Sequence, residues 1–188
     1  MNRQILKMAG VLLFTIFLLS CAALNANLNS PMKLSFSEKR ILVFPFQDPY
    51  YKGRQIQGVG GPFSSVFITK LRAAGISSDL AKSSSFPSAT ELEMDKACKY
   101  ASDNGYDMFM TGVITEWLDG ATQWSGTADV AALIVNVYAT TGCEFVGSAS
   151  GKQNGSWFAF VDAPTTRFFE PLSETIVKTL LGQVNKDK

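Results

Sequence analysis

Apolar and polar positions divide this chain into alternating blocks with two different periods. ILVFPF, Ile41 to Phe46, is a short continuous apolar run of the kind a strand buried on both faces produces. After a loop, QDPYYKGRQIQGVGG, the period changes to that of a helix from about Pro62 to Ala74. Its buried stripe is Val66, Phe67, Leu71 and Ala74, with Pro62 suited to the first turn and Gly75 to the position after the last. Ile76 to Ala81 reads as a second, weaker strand. Ser88 with Glu91 forms a capping-box pattern that opens a helix running to Asn104 and stopping at Gly105. Tyr106 to Leu118, Val130 to Thr140 and Glu144 to Gln153 supply three further strands, the last two joined by a Thr-Gly turn. A final amphipathic helix carries Leu172, Ile176, Val177, Leu180 and Leu181, and Pro171 fits only within its first turn.

The predicted order is β-α-β-α-β-β-β-α. Right-handed crossovers make the first three strands parallel, and hairpins add the last two antiparallel. This gives an α/β fold: a five-stranded mixed sheet of order 2-1-3-4-5 packed with three helices.

The segment ahead of these blocks sets the compartment. Arg3 and Lys7 precede an apolar run from Met8 to Leu19, too short for the roughly 20 residues that cross a ~30 Å hydrocarbon core. It has the proportions of a secretory leader. Leu18-Leu19-Ser20-Cys21 resembles the lipobox of bacterial lipoproteins. That resemblance implies cleavage before Cys21, diacylglyceryl transfer to its sulfur and acylation of the new amino terminus. Ala22, rather than an aspartate, follows the cysteine, which implies the outer membrane. The expected organisation is a leader over residues 1–20, a lipidated cysteine and polar tether over 21–38, and one domain over 39–188. A flexible tether of that length has a root-mean-square span of roughly 20–25 Å.

Cleavage removes two of the 17 basic residues and none of the 16 acidic ones, leaving a net charge near −1 and no basic stripe. Nucleic-acid binding is therefore not expected. Histidine is absent, which excludes serine–histidine triads, His-ligated zinc and the usual general base near neutrality. Cys98 and Cys143 are too few for a four-cysteine metal site, and neither metal nor cofactor is expected. An oxidising periplasm permits them to pair. The alternative is two small buried thiols, because Cys98 shares a stripe with Met94, Ala97 and Ala101.

Two stretches carry candidate chemistry. Gly58, Gly60 and Gly61 approach a helix N-terminus, where backbone amides and the helix dipole can hold an anion, with Lys52 and Arg54 adding charge. Their spacing matches neither the Walker nor the dinucleotide pattern, and plain turn chemistry explains them equally. TEWLDGATQWSG, Thr115 to Gly126, concentrates tryptophan and acid around Asp119-Gly120. A two-residue hairpin turn there sets Trp117 opposite Thr122 and Thr115 opposite Trp124, with both indoles on one face. Glu116 and Gln123 then pair on the other face. An acid–base pair of Glu116 and Asp119 has nothing near it to separate the two pKa values. A tryptophan corner closing the sheet and a recognition surface are the stronger alternatives. Trp157, Phe158 and Phe160 form a second aromatic loop, either folded over the core edge or exposed to a partner.

The lipobox, the GVGG loop, the closing helix and above all Trp117, Asp119, Ala121, Thr122, Trp124, Ser125 and Gly126 resemble an uncharacterised bacterial lipoprotein family. That family, a domain of unknown function, carries W-x-D-x-A-T-x-W-S-G between two strands. The element order is also similar to the periplasmic domains of CsgG, the TolB N-terminal domain and the LpoB-type synthase activators. Those relatives imply envelope assembly and binding of a protein partner rather than catalysis. The expected contact surface is Trp117, Asp119, Trp124, Trp157, Phe158 and Phe160, and the expected partners are the membrane, through Cys21, and an envelope protein. The chain lacks the long pore-forming hairpins of CsgG, and its tether is short beside those of LpoB-type proteins.

Overall fold

The computed structural model describes residues 24–32, 35–119, 128–155 and 164–183. Strands β1 (Leu24–Ser30), β2 (Arg40–Val43), β3 (Tyr50–Tyr51) and β4 (Arg54–Gln55) precede helix α1 (Gly60–Ala73). Then come β5 (Ser77–Leu80), α2 (Met94–Asp103), β6 (Met108–Leu118), β7 (Val130–Ala139) and β8 (Phe145–Asn154). A 3-10 turn (Thr165–Phe168) leads into α3 (Phe169–Leu180). The main sheet has six strands in the order β1-β8-β7-β6-β2-β5, and β3 with β4 forms a separate hairpin.

The five expected strands hold their predicted relative order, with β2 parallel to both β5 and β6 and the rest antiparallel. The strand count needs correction from five to six. Leu24–Ser30, expected within a tether, pairs antiparallel with β8 as an edge strand. Its Leu24 and Ala26 pack against the core while Asn25 and Asn27 are exposed. This alternation was hidden in a segment dominated by asparagine, which is depleted in strands.

One face of the sheet packs against α1 and α3. Ile41, Val43, Met108, Met110, Leu133, Val135 and Val137 meet Phe63, Phe67, Leu71, Leu172 and Ile176 there in a single buried cluster. The buried stripe of α1 runs through Phe63, Phe67 and Leu71, while Val66 is half-buried and Ala74 exposed. Gly151 makes the close helix–sheet contact possible: a Cβ on it would lie 2.7 Å from Leu172 Cδ1.

Helix α2 covers a smaller area of the opposite face. Ala97, Cys98 and Ala101 pack there on Leu42, Phe44 and Phe109. It starts at Met94, not near Ser88, because Ser88 is already spent: its carbonyl accepts the Asp48 N–H at 2.9 Å and its hydroxyl donates to Asp48 Oδ2 at 3.3 Å. Cys98 and Cys143 are joined as a disulfide with Cα atoms 5.9 Å apart, tying α2 to the β7–β8 turn.

Candidate functional site

Apart from the Cys98–Cys143 disulfide, the sequence-level candidates that the structure describes gather at one end of the molecule, the carboxyl end of the parallel strands β2 and β6. In open α/β sheets this is the end where ligands bind. The chain leaves β2 through Phe44 and Phe46, with Gln47 bridging Val113 of β6 in parallel. It then reaches Asp48 and the β3–β4 hairpin, and returns to the N-terminus of α1.

An anion does sit at the glycine loop, and it belongs to the protein. The backbone N–H groups of Gly58, Val59 and Gly60 donate to the Asp48 carboxylate at 2.9, 2.9 and 2.6 Å. Asp48 is 2% exposed. Its charge lies on the first turn of α1, where the dipole favours it, and it satisfies donors that the helix start would otherwise leave unpaired. The reading of Gly58, Gly60 and Gly61 as a cradle for an external anion is thereby corrected, because Asp48 fills it. Gly60 is required on packing grounds, since a Cβ would fall 1.8 Å from the carbonyl oxygen of Phe46. Asp48 carried no warning in sequence beyond its place before a proline, ten residues ahead of the amides it binds.

Of the two alternatives for Trp117, the structure supports closure of the sheet rather than an exposed contact surface. It is 7% exposed and its ring packs 5.6 Å from that of Phe169 at the start of α3. β6 continues to Leu118, pairing Trp117 with Ala131 and Leu118 with Val130 rather than with the partners an Asp119-Gly120 hairpin would supply. A register shift between Ile114 and Glu116 turns Trp117 inward. The expected pairings of Trp117 with Thr122 and of Glu116 with Gln123 are thus replaced, because a longer connection joins the two strands. Trp124, Trp157, Phe158 and Phe160, like Cys21, lie outside the described residues.

The carboxylates considered for acid–base work have other partners. Glu116 lies on the opposite face from Trp117, and its Oε2 accepts from Lys152 Nζ at 2.6 Å. Asp119 caps the 3-10 turn: its Oδ1 accepts from the Thr165 hydroxyl at 3.0 Å and from the Thr165 N–H at 3.4 Å. Among the described residues no group of three or more potential metal ligands occurs, and no helix is long and apolar enough to cross a membrane.

A feature that sequence reasoning did not single out is the bare second face of β6, β7, β8 and β1. Beyond the area under α2, no helix among the described residues covers it. Val113 (37% exposed), half-buried Ile134 and Ser150, and exposed Asn27 form one row across the four strands. The Glu116–Lys152 ion pair bridges the row beside it, over Ala132. The signal was present as the polar phase of each strand, but antiparallel sheets commonly face water on one side, so alternation alone singles out no surface.

No protein-family model matches the chain, and no curated protein matches it in sequence. Solved structures do share its fold. PelC from Paraburkholderia phytofirmans, crystallised as a dodecamer, superimposes with a TM-score of 0.60 at 17% identity, covering 88% of this chain and 100% of that one. The lipoprotein GNA1162 from Neisseria meningitidis gives a TM-score of 0.49 at 13% identity, over 78% of this chain and 99% of that one. The LpoB C-terminal domain from Salmonella enterica gives 0.41 at 11% identity, over 61% and 82%. At these identities the likeness is one of fold.

Proposed function

We propose that this protein is a non-enzymatic lipoprotein of the bacterial envelope, anchored by Cys21 in the outer membrane, whose domain binds protein, first of all further copies of itself. The observation that carries the binding role is the face of β6, β7, β8 and β1 that no helix among the described residues covers beyond α2, where exposed Val113 sits beside half-buried Ile134. PelC, whose crystallised chain matches this fold throughout, forms a dodecamer, which supports self-assembly. Asp48, Glu116 and Asp119 are each committed to a structural contact, which supports a binding role over a hydrolytic one. The test is native mass spectrometry of the lipidated protein and of a Val113→Arg/Asn27→Arg variant. Both positions are exposed, so the variant folds, and a discrete oligomer falls to monomer. A wild-type monomer, or an oligomer indifferent to both charges, refutes the assignment. The anchor is tested separately: Cys21→Ala abolishes incorporation of radiolabelled palmitate, and persistent labelling overturns it.

A further inference from the structure

Only two residues separate Cys21 from Leu24, the first residue of β1. Three residue steps reach about 10 Å at full extension. Leu24 pairs with Gln153, Gln153 with Ala131, and Ala131 with Trp117. β1 therefore begins at the carboxyl end of the sheet, level with the end of β6. An acylated Cys21 holds that end against the bilayer. This step rests on the lipoprotein reading above.

The β3–β4 hairpin projects at the same end. Gln47 bridges Val113 in parallel, so the chain is running toward the carboxyl end as it enters Tyr50. The turn is tight, with Lys52 and Gly53 at φ of 49° and 76°, the left-handed pair that a two-residue hairpin requires. Tyr50 and Tyr51 are 60% and 41% exposed, and Tyr50 is the most exposed large apolar or aromatic side chain among the described residues. Lys52 Nζ lies 5.1 Å from the centre of the Tyr51 ring. Neither Lys52 nor Arg54 has a carboxylate partner among the described residues. The neighbouring cations do: Lys152 pairs with Glu116 and Arg167 with Asp129.

Tyrosine rings with an apolar body and a polar tip settle at the membrane–water boundary. Lysine and arginine stems lie along apolar surface while their charges reach phosphates. We propose that the β3–β4 hairpin docks on phospholipid headgroups beside the Cys21 anchor, with Tyr50 and Tyr51 in the interface and Lys52 and Arg54 on anionic phosphates. The anchor and the hairpin then make two points of contact, which fixes the orientation of the domain on the membrane.

Hydroxyl-radical footprinting of the purified lipidated protein tests this, in vesicles of phosphatidylethanolamine and phosphatidylglycerol. Phe145, 39% exposed at the opposite end of β8, is the internal reference. Solution exposure makes Tyr50 and Tyr51 at least as accessible as Phe145; docking makes both tyrosines the slower to oxidise. A Lys52→Gln/Arg54→Gln variant, at roughly fivefold per basic side chain near an anionic leaflet, lowers the docked-to-undocked ratio about 25-fold and restores tyrosine oxidation. Intact mass reports acylation independently. Acylated protein with unprotected tyrosines refutes the hairpin alone, and unacylated protein removes the anchor and the hairpin proposal together. Protection that grows with protein density in the vesicle identifies contact between copies and also refutes docking on lipid.

Discussion

Reducing the Cys98–Cys143 disulfide tests how much of the stability lies in one crosslink. The bond closes a loop with a sequence separation of 45. In the chain-entropy account, a loop of that length costs the unfolded ensemble freedom worth about 4 kcal/mol at 25 °C. That is a large fraction of the 5–15 kcal/mol by which domains are stable. The folded state should lose little on reduction, because Cys98 is 3% exposed beside Ala97 and Ala101 and the two thiols need only separate to van der Waals contact. Comparing oxidised and reduced wild type by urea unfolding therefore isolates the crosslink. With a slope near 2 kcal/mol per molar, the midpoint should fall by about 2 M. The Cys98→Ala/Cys143→Ala protein should fall further, since it also loses the packing of one buried sulfur. Thiol titration of unfolded, unreduced protein should find neither cysteine free, and Cys98→Ala should leave the exposed Cys143 reactive. Equal midpoints for oxidised and reduced protein, with the bond shown intact beforehand, refute the entropic argument. Free thiols in protein isolated from an oxidising compartment refute the pairing.

Other consequences follow from single contacts. Asp48→Ala leaves three N–H groups at the start of α1 without their anion and should cost about 3 kcal/mol or more, whereas Asp48→Asn should cost roughly half as much; equal midpoints for the two variants in urea would show that the charge does nothing. Gly60→Ala drives a methyl group into the Phe46 carbonyl and should destabilise by about 3 kcal/mol, read from the same unfolding curves. Trp117→Ala should cost about 3–5 kcal/mol as a large-to-small core change, and a loss under 1 kcal/mol would place the ring outside the core. On the α1–α3 surface, the Lys70 ammonium is held above its ordinary range by donating to Glu170 at 2.6 Å, and Glu174 is held below its range by Lys178 at 2.7 Å. The Glu174 contribution is complete above the ordinary glutamate pKa and is lost as pH falls through the lowered folded value. The Lys70 contribution is complete below the ordinary lysine pKa and is lost as pH rises through the raised one. Glu174→Gln should therefore flatten the acid-side fall in Tm below the ordinary glutamate pKa and, because Glu174 also pairs with Lys70 at 3.6 Å, slightly weaken the alkaline limb held mainly by Glu170.

The strand order could be read from the sequence because each crossover and hairpin carried its own signal: Gly75 and Gly105 closing helices, Pro171 inside a first turn, a Thr-Gly turn. What failed were features fixed by partners distant in sequence. Ser88 has the composition of a helix cap, but Asp48 claims its hydroxyl, and α2 starts six residues later at Met94. Asp119-Gly120 has the composition of a tight hairpin, but Trp117 and Leu118 pair with Ala131 and Val130, so the register skips the turn. Leu24–Ser30 has the composition of a tether, yet β8 offers an open edge and Leu24 and Ala26 have a core to meet. In each case local chemistry was overruled by a pairing that only the assembled sheet supplies.

These corrections act together on the site. The carboxyl end of a doubly wound sheet is where this architecture ordinarily receives a small ligand. Here Asp48 plugs the helix N-terminus from within, Trp117 and Phe169 close the floor, and Asp119 pins the turn above it. If Cys21 is acylated as proposed, only two residues would separate the anchor from β1 at this same end. In the proposed lipoprotein this end, with its helix N-terminus already filled by Asp48, would face the membrane. Lateral to this end lies the face of β6, β7, β8 and β1, which no helix among the described residues covers beyond the area under α2. In the proposed lipid-anchored protein, such a surface would meet neighbours in the same leaflet, where confinement to two dimensions raises effective concentration and weak contacts between copies would suffice.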